Sequence, residues 1–366
     1  MKLLITGDFF VEYNKEIEID KGLKELFASC DYRVVNYEGP VASSDYKVFP
    51  PKSGPRLMQP VDTIDLLKKL KVDALTLANN HIMDYGTQGY QKTIKSLCDF
   101  KLMGTGVWNK AYALHKLTVE GRTIGLLNFC EMQFGMLYDE WSQGEDIIGC
   151  AWVNHPQVNK LIMKSRQEVD SLIVIIHAGV EMIDIPLPEW RDRYREMIDL
   201  GCDAVIAHHP HVVQGYEIYK DKPIAYSLGN FCFLKKKTVN NDEWYNGAIA
   251  VLDIQNNGVN FNIYGCNLNN NKLSLVDTEQ WNEKIENLCD KLKVNSYIDD
   301  ITSKCNTLME SYYNLFAMGG LFSLSVFNFK NIIRLLLHRY HNVHLLNNLQ
   351  CESHKWCICR ALKCKS

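Results

Sequence analysis

The 366-residue chain has 46% hydrophobic and 23% charged residues and a formal net charge of -3, which excludes a disordered chain and a strongly charged surface built to attract a polyion. Nucleic acid is therefore not an expected partner. The 13 cysteines are scattered from Cys30 to Cys364 without the dense spacing of a secreted disulfide framework, so reduced thiols are expected.

The chain opens on "MKLLITGDFF", whose apolar run is too short for the core of a signal peptide and reads as a first strand. No stretch reaches the about 18 apolar residues of a transmembrane helix, and a cytoplasmic location is the expectation. Further short apolar runs follow: "RVVNY", "ALTLA", "TIGLLNF", "SLIVIIHAG", "DAVIAHH" and "PIAYSLGN". Continuous runs of this kind suit strands covered on both faces. Between them lie helical patterns, "PVDTIDLLKKLK", "TQGYQKTIKSLCDF", "HPQVNKLIMKSRQEV" and "EWRDRYREMIDLG", and the alternation predicts a layered α/β domain. Then "YNGAIAVLDIQNNGVNFNIYGCNL" predicts an antiparallel hairpin turning at Asn256-Asn257-Gly258. An Asn-rich break near residue 275 divides this domain, 1–275, from a helical extension, 276–366.

The strands stop at polar residues. In α/β sheets the loops at strand carboxyl ends converge on one crevice, and here they deliver Asp8, then Asn36 and Glu38, then Asn79, Asn80, His81 and Asp84, then His177 and Glu181, then His208, His209 and His211. Carboxylates, imidazoles and an amide oxygen are the mixed donor set of Mn, Fe or Zn. Taken singly, Asp8 also fits a turn former, Asn80 a loop residue and His177 a satisfied core histidine. His-His-Pro-His is harder to place in a metal-free core, since each buried unsatisfied group costs about 1–3 kcal/mol.

The motifs "GDFF", "NYEGP", "ANNHIMDYG", "HAGVE", "AHHPHVVQGYE" and "SLGNF", in this order over roughly residues 1–270, resemble the CapA family of bacterial capsule and poly-γ-glutamate synthesis proteins, relatives of the calcineurin-like metallophosphoesterases. The resemblance implies a four-layer α/β/β/α sandwich with a metal site at one end. It implies metal-ligand roles for Asp8, Glu38, Asn80, His177, His209 and His211. His81 is implied as the acid or charge-stabilising group, with Asp84 and His208 beside it in the catalytic set, and Asn36, Glu181 and Asn230 as supports. In one respect the chain departs from the phosphoesterase pattern: Phe9 and Phe10 follow Asp8 where Asp-x-His is usual. Phe binds no metal, so a weakened second position or a mononuclear site is expected.

The chemistry expected is metal-dependent hydrolysis of a phosphoester or γ-glutamyl-type bond in surface-polymer synthesis, with one or two divalent ions, Mn, Zn or Fe. No P-loop and no G-x-S-x-G elbow is found. The alternative is a non-catalytic subunit that binds polymer or synthase and keeps the metal for structure. Expected partners are an anionic or carbohydrate polymer precursor, or a small phosphoester, and other surface-polymer synthesis proteins. Loop cations Lys52, Arg56, Arg191 and Arg195 could meet an anionic substrate, although each reads more readily as solvated. From Asn328 the tail carries Lys330, Arg334, Arg339, Lys355, Arg360, Lys363 and Lys365 against the single acid Glu352. Its basic stretch "FKNIIRLLLHRYHNVHLL" suits a helix packed over the core, with peripheral contact at the inner face of the membrane as the other reading. The cysteines and histidine of "CESHKWCICRALKC" fit no standard zinc knuckle and are expected to be ordinary thiols in a helix.

Overall fold

The apolar runs become strands with both faces covered, as at Ser171–His177, where every residue is buried. The computed structural model describes residues 1–46, 52, 54–119, 121–137, 147–256, 258–317 and 346–363. Most of the basic stretch 329–346, Cys364 and Asn257 of the expected turn lie outside them. Among the described residues, one sheet runs in the order β2 (Glu18–Ile19), β18 (Lys272–Leu275), β17 (Gly258–Asn269), β16 (Asn246–Gln255), β1 (Lys2–Val11), β3 (Tyr32–Tyr37), β4 (Ala74–Thr76) and β5 (Lys101–Met103), with β15 (Asn230–Leu234) also paired to β1. A second runs β13 (Tyr216–Tyr219), β14 (Lys222–Ala225), β12 (Ala204–His208), β11 (Ser171–His177), β8 (Arg122–Cys130) and β7 (His115–Val119). Short strands β6 (Thr105–Gly106), β10 (Gly149–Ala151) and β9 (Met136–Leu137) form a third.

Strand periodicity assigns the layers. Leu3 and Ile5 of β1 face inward and meet Leu126, Ile173 and Ile206 of the second sheet, making the core between the sheets. Leu4, Val35 and Leu75 face outward, against Leu23 and Phe27 of α1 (Lys21–Ala28), Leu67 of α2 (Ile64–Lys69) and Tyr90 of α3 (Gly86–Ser96). On the far side Val174, Ile176 and Val205 pack on Ile162 of α5 (Val158–Arg166) and on Trp190 and Met197 of α6 (Pro188–Asp199); α4 (Trp108–Ala111) adds Ala111 there. The result is an α/β/β/α sandwich of mixed α/β type. Each buried aliphatic side chain contributes about 1.5–3 kcal/mol, so these clusters hold the strand ends in register.

Helix α1 was not evident in the sequence pattern; Asp20 starts it by accepting from the backbone N–H of Gly22 at 2.7 Å and of Leu23 at 3.1 Å. The hairpin forms, with Gln255 opposite Gly258. In the extension, α7 (Thr278–Asp290) buries Trp281, Ile285 and Leu288 at the edge of the core between the sheets. Helix α8 (Tyr297–Ala317) and the terminal helix, Glu352–Lys363, join the outer layer through Ile301, Cys305, Cys357 and Ala361. Among the described residues no helix is long and apolar enough to cross a membrane.

Candidate metal centre

The backbone is shaped to bring the strand ends together. Gly7 lies so close to the loop before β15 that a Cβ there would stand 1.9 Å from the Gly229 carbonyl oxygen. The adjacent Asp8 N–H donates to that oxygen at 3.0 Å, and the pairing of β1 with β15 shifts register between Asp8 and Phe9. Such a bulge re-aims a side chain. Gly179, at φ +132°, similarly lets the loop after β11 pass Pro210, whose Cγ would lie 2.7 Å from an added Cβ. His209 and His211 themselves sit at φ +108° and +58°. Non-glycine residues in that region cost about 1–3 kcal/mol each and persist at functional sites.

Every residue of the expected ligand set is buried and all converge. Asp8 Oδ1 lies 2.7 Å from His208 Nδ1 and 3.6 Å from His177 Nδ1. Its Oδ2 lies 3.5 Å from His211 Nδ1 and accepts from the backbone N–H of His209 at 3.2 Å. His177 Nε2 is 3.0 Å from Asn80 Oδ1, and His211 Nε2 is 3.8 Å from Glu38 Oε1. Three groups bring their ligand atoms within 4.8 Å of one another: Asp8, Glu38 and His211; Asp8, His177 and His208; and Glu181, His209 and His211. Of the supports, Asn36 donates to Asp8 at 2.8 Å, Asn230 Oδ1 lies 2.8 Å from His211 Nδ1, and Glu181 is exposed beside His209 and His211. His208, grouped with the catalytic residues on sequence, is fully buried between Asp8 and His177. From there its Nδ1 holds Asp8 while its Nε2 stays buried without a partner.

His81 is held from behind. Its Nδ1 lies 2.6 Å from Asp84 Oδ2 and 2.9 Å from Lys52 Nζ, and Lys52 is ion-paired with Asp84. The His81 Nε2 points the other way, 3.9 Å from Glu38 Oε1. Asn79 fixes this turn: its Oδ1 accepts from the His81 N–H at 3.2 Å while its Nδ2 donates to the Tyr37 carbonyl at 2.9 Å. The loop cations therefore differ from the solvated reading. Lys52 is buried, whereas Arg191 and Arg195 are engaged with Glu217 at 2.8 and 2.7 Å and point away from the centre.

Burial by itself would raise the pKa of Asp8, yet His208 and His177 together hold it well below the carboxylate range. Glu38 goes the opposite way: burial, then the charges of Asp8 and Glu181, push it well above. Burial lowers His177 to about 3 and also lowers His81 and His209. Neutral imidazoles are the form that binds a metal.

The donor set fits a divalent ion on an observation independent of resemblance. Both carboxylate oxygens of Glu38, Nε2 of His208 and Nδ1 of His209 are buried without a hydrogen-bond partner. A buried carboxylate left this way is costly, and a cation shared with Asp8 and His211 removes that cost. Phe10 supplies nothing to it. The ring is fully buried against Phe233 and lies in a small apolar cluster with Leu57 and Trp244.

Glu131 escaped the sequence reading, because a single Glu after "LLNFC" carries no spacing signal. It is fully buried next to this centre, its Oε1 3.4 Å from His209 Nε2. Burial and the charge of Glu352 push its pKa up to about 8. The tail cysteines form no metal cluster among the described residues: Cys351 and Cys357 are buried in packing and Cys359 is exposed.

The capsule biosynthesis protein CapA of Bacillus anthracis is 30% identical over 274 residues, covering 70% of this chain and 65% of its own length. The PGA biosynthesis protein CapA of Bacillus subtilis is 28% identical over 242 residues, 62% of each chain. The match thus spans less than two thirds of the length of either relative. Among solved structures the chain is similar to a hypothetical protein from Thermus thermophilus, with 11% identity, a TM-score of 0.43 and coverage of 72% of this chain and 98% of that one. The sequence model of the family described as bacterial capsule synthesis protein PGA_cap matches residues 11–235, more than half of the chain, which therefore belongs to that family.

Proposed function

We propose that this member of the capsule synthesis family is a divalent-metal-dependent hydrolase acting on a phosphoester or γ-glutamyl-type bond during the making of capsule, poly-γ-glutamate or a related surface polymer. The observation that carries the reading is Glu38, whose two buried oxygens lack partners while Asp8 and His211 stand around it. Asp8, Glu38 and His211 would hold one ion, and Asn80, His177 and His209 a second. Bound there, divalent metal polarises an electrophile and brings the pKa of water toward neutrality.

The chain's own groups supply the rest. Asp8 is kept ionised by His208 and His177, so a negative ligand is present over the working pH range. His81, neutral and donating from Nδ1 to Asp84, presents its Nε2 lone pair toward Glu38 and the substrate space, where it takes up a proton from the attacking water and then returns it to a leaving oxygen or nitrogen. Lys52 keeps Asp84 charged and aimed, at the cost of a buried ammonium. Glu181, exposed beside His209 and His211, adds a negative charge at the solvent side of the centre. The substrate would be an anionic or carbohydrate polymer precursor or a small phosphoester and the partners other synthesis proteins, while the basic stretch 329–346 is read as a helix packed over the core, with peripheral contact at the inner face of the membrane as the other reading.

A second reading, a non-catalytic subunit using the metal for structure, is favoured by one observation: Phe10 fills the position of a nitrogen donor with a buried ring. Assay of purified protein with Mn or Zn against generic phosphoesters and γ-glutamyl oligomers separates the two. Hydrolysis that disappears in the H209A/H211A double variant is expected. Metal uptake without hydrolysis of either class supports the second reading.

A further inference from the structure

Glu131 follows β8 and is anchored by its own backbone, whose N–H donates to the His177 carbonyl at 3.1 Å. Its two carboxylate oxygens face different parts of the molecule. Oε2 faces the terminal helix, accepting from Ser353 Oγ at 2.5 Å, from the Ser353 N–H at 3.2 Å and from Cys351 Sγ at 3.6 Å. Oε1 faces the candidate metal centre. It accepts from the Gly179 N–H at 3.3 Å and from Gln133 at 3.4 Å, and lies 3.4 Å from His209 Nε2. The opposite nitrogen of that ring, Nδ1, is buried with no partner.

An imidazole has one N–H and one lone pair when neutral, and the partner of one nitrogen decides which form is present. A cation on Nδ1 requires the ring proton on Nε2, and Glu131 Oε1 is the acceptor placed there for it, so the carboxylate pairing and the Nδ1 lone pair are selected together when the cation binds. Carboxylates in this position also orient the ring and raise its basicity. We infer that Glu131 is a positioning residue for His209, and that the terminal helix, through Ser353, holds Glu131 in place and so forms part of the metal centre. The inference rests on the metal reading above.

The clamp on the helix is more than one bond. Ser353 Oγ, while donating to Glu131, accepts from Trp190 Nε1 at 2.8 Å. The neighbouring Glu352 is tied elsewhere, accepting from the Met132 N–H at 2.7 Å, from Trp152 Nε1 at 2.6 Å and from Asn154 at 3.1 Å. A purely structural role would be served by Oε2 alone. The three-donor environment of Oε2 and the aim of Oε1 at His209 give the residue a second task. Glu352 provides the contrast, because it fastens the same helix turn without touching a histidine.

The test is Mn²⁺ titration of full-length protein stripped with EDTA, comparing wild type with E131Q, S353A and E352Q, with thermal unfolding recorded for each. Expected is an affinity about 10–100-fold weaker in E131Q, a smaller loss in S353A, and no loss in E352Q even where its melting temperature falls, since removing the Glu352 charge favours the Glu131 carboxylate. Imidazole ¹⁵N shifts of His209 in Zn²⁺-loaded protein should report metal on Nδ1 with the proton on Nε2 in wild type and loss of that form in E131Q. Wild-type affinity and tautomer in E131Q overturn the inference; should E131Q fail to fold, unchanged affinity in folded S353A does so. If wild-type protein itself takes up no Mn²⁺, the metal reading falls and this inference with it.

Discussion

Lys52 and Asp84 form an ion pair in the interior, 32 residues apart in sequence, and Asp84 passes that constraint to His81 Nδ1 at 2.6 Å. Both members of the pair are buried, so water does not share their charge. Removing one partner of such a pair leaves the other uncompensated and costs about 3–5 kcal/mol. K52M is therefore expected to lower the melting temperature markedly, while the double variant K52M/D84N recovers part of the loss. A calorimetric double-mutant cycle checks this; additive losses would show that the two groups are not coupled.

His81 itself is expected to matter for turnover and not for folding. With Nε2 facing Glu38 and the substrate space, H81N should reduce kcat by about 10²–10⁴-fold with an unfolding midpoint close to that of wild type. Steady-state kinetics on whichever ester or amide the wild type cleaves supplies the comparison. Unchanged kcat would remove His81 from the proton-transfer role.

The Gly7 contact with Gly229 gives a steric prediction. A methyl group 1.9 Å from a backbone oxygen cannot be accommodated without moving β1 or β15. G7A should cost about 3 kcal/mol or more, and should weaken metal binding, because the shift acts next to Asp8. Chemical denaturation together with Mn²⁺ titration reads both effects. A fully stable G7A that binds normally would mean the strand is freer than the packing indicates.

Acid stability has an identifiable contributor at the far end of the second sheet. Glu217 is held to about 2, where burial alone would raise it, by Arg195, Arg191 and the Tyr226 hydroxyl. Its folded pKa is depressed below the unfolded value, so its contribution is fully present above about pH 4.5 and is lost as pH falls toward 2. E217Q should lower stability at pH 7 and flatten the decline of stability between about pH 5 and 2. Urea unfolding across that range measures the slope; an unchanged slope would place the acid-sensitive group elsewhere.

Much of this architecture is legible in the sequence for a physical reason. Strands covered on both faces must be apolar throughout, so runs such as "SLIVIIH" announce themselves, and the polar residue that ends each run marks the edge where loops converge. Asp8, Glu38, Asn80, His177, His209 and His211 are among the residues at those ends, singled out by the resemblance, and the structure brings them into one buried cluster. Short polar-edged elements were not legible: α1 depends on one capping side chain, Asp20, and β18 and β2 pair only at Lys272–Glu18 and Leu273–Ile19. Lys52 looked like a solvated loop cation because nothing local shows that a lysine will meet a buried Asp84. Glu131 was invisible because its partners lie far along the chain, Ser353 at a separation of 222 residues. The residues that support a site from behind are set by long-range packing, which a strand pattern does not encode.

The central claim is that Asp8, Glu38 and His211 hold a divalent ion. Elemental analysis of protein purified without added metal, alongside the E38Q/H211A variant, tests it most directly. One or two equivalents of Mn, Zn or Fe per wild-type chain, and loss of at least one of them in the variant, are the predicted results. A folded wild-type protein that carries no ion and takes up none on titration, or a variant that retains the full wild-type content, would contradict the claim.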